Sequence, residues 1–166
     1  MFALPKLILI LAAITTALMA GLFYAWSVSV MPGIGRLPDS GFLSAMQAMN
    51  RAILNPLFFL CFMGAALLLP AATFLHYSHP VSGRFWLLLG ATVCYLVGVM
   101  GVTMAGNVPL NNSIDVFNIQ TATAAELAKM RADFEGPWNR LNNIRTVCVT
   151  LSILLVIMAC LWKEER

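Results

Sequence analysis

Charge is what this sequence lacks most: Asp, Glu, Lys and Arg make up 10% of its 166 residues, where a soluble domain carries about 25%. With 60% of the residues hydrophobic, a water-soluble fold has too little polar surface to cover it. Histidine is limited to His76 and His79, an HxxH pair with no third and fourth ligand at metal spacing, so no metal centre is expected. The four cysteines, Cys61, Cys94, Cys148 and Cys160, all fall in apolar stretches, where a thiol behaves as a small hydrophobe. Disulfides and redox motifs are therefore not expected. The sequence also lacks a phosphate-binding glycine loop, a Ser-His-Asp set and paired carboxylates near a helix end, which leaves nucleophilic and metal-dependent catalysis without residues. The net charge of +3 is spread out rather than gathered in a basic run, so nucleic acid is excluded as a partner.

What the chain has instead is apolar length. Leu7–Val30, Pro56–Leu75 and Phe85–Gly106 contain no charged side chain, and each is close to the roughly 20 residues that cross a hydrocarbon core. A fourth stretch, Thr146–Trp162, is shorter and spans if its helix begins a turn or two earlier. Lys6 ahead of the first run mimics a secretory leader, but the run exceeds the roughly 7–15 apolar residues of a leader and no clean cleavage site follows, so it is read as retained. The expected architecture is an all-α integral membrane protein. Residues 1–166 would form a single domain, a bundle of four transmembrane helices with both chain ends on one side of the lipid bilayer. A short amphipathic surface helix is expected at Ala124–Phe134, in the third loop.

Such a bundle divides the charges into two sets, Lys6, Arg84, Lys163 and Arg166 on one side and Arg36, Arg51, Lys129, Arg131, Arg140 and Arg145 on the other. The positive-inside rule places the second set in the cytoplasm, although three of its arginines sit beside helix ends and serve a site equally well. Small residues recur at fourfold spacing in the first span (Ala13, Ala17, Gly21, Ala25, Ser29) and in the third (Gly90, Cys94, Gly98). Such rows let backbones approach closely, so the first and third spans are expected to be neighbours, within one subunit or across a homo-oligomer.

The scarce polar residues gather on the second side. Gln47, Arg51 and Asn55 share a helix face with Asn50 close by, Thr103, Asn107 and Asn111 repeat the spacing, and Trp138, Asn142 and Arg145 begin the fourth span. Capping and headgroup contacts explain some of these residues. Four amide-bearing positions around arginine also suit a pocket, in which amides bond an oxygen and guanidinium holds developing negative charge. The candidate substrate-binding set is Trp26, Gln47, Asn50, Arg51, Asn55, Asn107, Asn111, Trp138, Asn142 and Arg145, with the two tryptophans flanking a ring.

Several of these residues lie in longer motifs. The runs from Ala20 to Gly33, from Met46 to Arg51 with Asn55-Pro56, from Gly106 to Asn111, and from Trp138 to Thr146 together resemble the anthrone oxygenase-like family of integral membrane proteins. The resemblance implies a four-helix protein of the bacterial inner membrane. It also implies oxidation of anthrone- or quinol-like aromatics by dioxygen without an organic cofactor or metal. Relatives often carry Asp at the position of Asn112 and His at that of Asn143, so the residues best suited to accept a proton are amides here. The expected ligand is a lipophilic aromatic small molecule. The alternative is a non-enzymatic membrane protein that binds lipid, carries a small solute or scaffolds a complex.

Overall fold

A computed structural model describes residues 4–163. Among them are four helices long and apolar enough to cross a membrane: α1 (Leu4–Ile34), α3 (Pro56–Leu75), α4 (Gly83–Asp115) and α5 (Ala124–Leu161). A fifth helix, α2 (Asp39–Ile53), precedes the second span. Each span turns large apolar side chains outward, among them Leu18, Leu60, Val97 and Leu154. A continuous exposed apolar belt is untenable in water and natural in lipid, so the protein is a four-helix membrane bundle.

Local chemistry sets the helix limits. Asn55 caps α3 by accepting a bond from Phe58 N at 3.0 Å, with Pro56 at the first helical position, where a missing N–H costs nothing. Thr123 and Glu126 form a reciprocal capping box at the start of α5. The spans run further than their apolar cores imply. α1 continues through Pro32 and Gly33, and α4 through Pro109. Each proline follows a wide π-helical turn, Trp26–Val30 in α1 and Thr103–Asn107 in α4. Met31 N and Val108 N bond the carbonyls five residues back, which loosens the helix where a proline ring would meet the preceding turn.

Two expectations are corrected. Residues 124–134 are helical but do not form a separate surface helix. They are the first turns of the 38-residue α5, which runs through Pro137 because Phe134 and Trp138 on either side of that proline are held in a buried cluster. Within the chain, the first and third spans are not neighbours either. α1 packs against α3 and α5, and α4 packs against the same two. The small row of α4 serves α5 instead, since a Cβ on Gly98 would collide with Cys148. On α1, Ala17, Gly21, Ala25 and Ser29 lie on the exposed face.

Two cores fill the molecule. The larger lies between the spans around Met19, Phe62, Leu69, Leu88, Tyr95 and Val149, crossed by a Tyr95 hydroxyl bond to Phe62 O at 2.9 Å and a Ser152 bond to Ala91 O at 2.9 Å. The smaller joins α2 to the ends of α4 and α5 through Phe42, Leu43, Met46, Ile114, Phe134 and Trp138. Arg131 fastens this cap, donating to Gly35 O at 2.6 Å and Leu37 O at 2.8 Å while its guanidinium lies 4.6 Å from the Phe42 ring centroid. The packing at the small residues is testable. Gly98→Ala should destabilise the protein by about 1–3 kcal/mol by overpacking against Cys148, whereas Gly21→Ala, where a Cβ meets nothing within 4 Å, should leave the melting temperature in detergent unchanged.

Candidate functional site

The interior charge that most needs an explanation is Arg145. It is 6% exposed, on α5, and among the described residues no carboxylate pairs with it. Nη2 donates to Asn142 Oδ1 at 2.9 Å and Nη1 reaches Thr103 Oγ1 at 3.4 Å. Aromatic faces supply the remaining support: the guanidinium carbon is 4.5 Å from the Phe23 ring centroid and 5.5 Å from that of Trp138. A desolvated cation–π contact contributes about 2 kcal/mol, and a hydrogen bond to a charged group about 1.5–3 kcal/mol. Removing an ion from water costs several kcal/mol, so the side chain is supported but its charge is not cancelled.

The surrounding groups are arranged in levels along α4 and α5. Thr103 meets Arg145, and one face further Asn111 Oδ1 accepts the Trp138 indole N–H at 2.9 Å. Asn107, between these levels on the same face of α4, is 1% exposed, and neither its Nδ2 nor its Oδ1 has a partner among the described residues. Arg145 Nε and Asn50 Nδ2 are likewise buried and unpartnered. Buried polar atoms are rarely left this way. Here three of the four are donors, so the group that completes them must be rich in acceptors.

Arg145, Asn50, Asn111 and Thr103 line a cavity of about 140 Å³, an order of magnitude above the roughly 10–15 Å³ required by one water. Its walls are aromatic: Phe23 and Trp26 of α1, Phe58 and Phe62 of α3, and Trp138 of α5. The Trp26 and Trp138 rings lie 5.2 Å apart at 47°. A wider hollow of about 480 Å³ at the opposite end is lined by the 78–83 turn with Trp162 and Lys163. It is an open surface depression, and none of the buried unpartnered atoms belongs to its lining.

The ten residues singled out from sequence have different placements. Trp26, Asn50, Asn111, Trp138 and Arg145 line the cavity, Asn107 is buried beside it, and Asn142 stands behind Arg145, donating to Ser27 Oγ at 2.8 Å. Gln47, Arg51 and Asn55 do not line it. Gln47 donates to Ile114 O and Phe117 O at 2.7 and 2.8 Å, and Asn55 caps α3. Arg51 is exposed and pairs with Asp115 at 2.7 Å; it anchors the cap at the membrane surface. Sequence reasoning missed the aromatic wall of Phe23, Phe58 and Phe62, since phenylalanine in an apolar span carries no signal of its own. It also missed Ser27, which bonds Asn143 and Thr146, each at 3.0 Å.

Fold and site together define a helical membrane protein with an internal, aromatic-walled cationic cavity. The family model for anthrone oxygenase matches residues 58–155, more than half of the chain, and the chain belongs to the anthrone oxygenase family. The match includes Asn107, Asn111, Trp138, Asn142 and Arg145 and stops short of the α1 and α2 residues of the cavity. No curated protein and no solved structure matches the chain. The different environments of the two arginines predict different responses. Arg145→Ala should cost about 1–3 kcal/mol by leaving buried Asn142 Oδ1 without its donor, and Arg51→Ala less than about 1 kcal/mol because its ion pair is exposed. Thermal unfolding of both variants in detergent checks this.

Proposed function

We infer that the cavity binds a lipophilic aromatic compound through a ring oxygen and stabilises that compound's anion, and that the reaction served is the oxidation of an anthrone- or quinol-like substrate by dioxygen. The observation that carries this reading is the uncompensated Arg145 guanidinium among aromatic rings and unpartnered donors. A buried cation favours the ionised form of a bound acid, so a ring C–H or O–H conjugated with the held oxygen becomes more acidic. Proton loss gives an electron-rich enolate whose negative oxygen faces Arg145 and the Asn50 amide, and the electron-rich carbon reacts with dioxygen. Conversion of a ring CH2 to C=O takes one oxygen atom from O2 and releases the other as water. The substrate supplies all four electrons.

The chain's part in this reaction is binding and charge stabilisation. Among the described residues no carboxylate, imidazole or amine lines the cavity, so the proton passes to a water held in the cavity and returns to the peroxide oxygen that departs as water. That same lining favours a second reading, in which the protein binds its aromatic ligand without turning it over, and oxygen uptake separates the two. Purified protein in lipid vesicles should consume oxygen on addition of anthrone, and Arg145→Met should lower kcat/KM by about 10²–10³, the range seen when one donor to a developing oxyanion is lost. Rates equal to those of protein-free vesicles would sink the enzymatic reading.

A further inference from the structure

We propose that the ligand reaches the cavity sideways from the bilayer, through a mouth between α3 and α4 whose gate residues are Leu54, Phe59 and Met104. This inference rests on the aromatic-ligand reading of the cavity and adds the route of entry, and with it the requirement that the substrate be dissolved in lipid.

Three independent features converge on that route. First, close packing of α3 against α4 is confined to the Gly83–Tyr95 part of α4; beyond it, where α4 takes π-helical form, the two spans part. Second, the lining of the cavity runs from buried Arg145 and Asn50 out to Leu54, Phe59 and Met104, which are 66%, 46% and 62% exposed. This rim carries no polar side chain, and it lies on the apolar belt, at the Asn55–Pro56 start of α3. Third, the water side is closed. The Phe42, Met46, Ile114 and Phe134 cluster is almost wholly buried above the Trp26–Trp138 pair, and Gln47 and the Arg51–Asp115 pair tie α2 to the end of α4 across it.

A ligand entering this way meets apolar side chains first and the guanidinium last. Ordering of that kind selects compounds that partition into hydrocarbon and carry their acceptor oxygens at one end. It rejects solutes with a fixed charge, which would cross the rim desolvated.

The test uses full-length protein in phosphatidylcholine vesicles, with anthrone under argon as the probe and stopped-flow quenching of tryptophan fluorescence as the readout. Narrowing the rim with Leu54→Phe/Met104→Phe should slow association and dissociation together, each about tenfold or more, since a gate lies on the path in both directions. Met104→Ala should speed association. Gln47→Ala, which loosens the water-side cap, should not change it. Rates unaffected by both rim variants, or raised by Gln47→Ala, would overturn the lateral route and leave the site reading standing. Absence of any saturable, Arg145-dependent quenching in the unaltered protein would overturn both.

Discussion

The structure depends on an electrostatic constraint: one guanidinium is held inside a membrane bundle with no carboxylate among the described residues to balance it. A lone charge there is tolerated only when hydrogen bonds and polarisable groups surround it. Phe23 and Trp138 supply ring faces, Asn142 supplies an amide oxygen, and Ser27 in turn fixes Asn142. A Glu or Asp among these residues would have cancelled the charge and left a purely structural ion pair. Its omission keeps the cavity electropositive.

The backbone contributes through three π-helical turns, Trp26–Val30, Leu96–Gly101 and Thr103–Asn107. Each adds a residue to a helical turn and shifts the register beyond it, and such turns recur at functional sites. Trp26, Thr103 and Met104, from the first and third of these, line the cavity. The second lies in the stretch of α4 that leaves α3. The wide turns also accommodate Pro32 and Pro109, so the helices continue to the membrane surface and carry the small cap above the cavity.

Much of this was legible in the sequence, for identifiable reasons. Uncharged runs of bilayer length gave the four spans, because hydrocarbon admits few other solutions. The row Thr103–Asn107–Asn111 and the face Trp138–Asn142–Arg145 do point to the interior. The equivalent row in α2 does not, and the cause is instructive: Phe42, Leu43, Met46 and Asn50 form its buried stripe, and Gln47 and Arg51 are turned from Asn50 by about 60° and about 100° around the helix. The apolar residues on α2 mark the inward face, and the spacing of the polar ones alone does not. The small-residue rows misled because they report close approach without naming the partner, and Gly98 turned out to face α5. Residues 124–134 join the fourth span because the Phe134 and Trp138 contacts outweigh the backbone bond lost at Pro137.

The central claim is that Arg145 stabilises the anion of a bound aromatic ligand, and the most direct measurement is the ionisation of a phenol in the cavity. The absorbance of 2-naphthol bound to the protein in detergent can be followed against pH, with Arg145→Met as the comparison. Burial alone raises the pKa of a phenol, and an adjacent cation lowers it. The account predicts that the pKa of the bound probe is lower in the unaltered protein than in Arg145→Met by at least about one unit, equivalent to about 1.4 kcal/mol of differential stabilisation. A bound pKa that is the same in both proteins, or higher with arginine present, would contradict it.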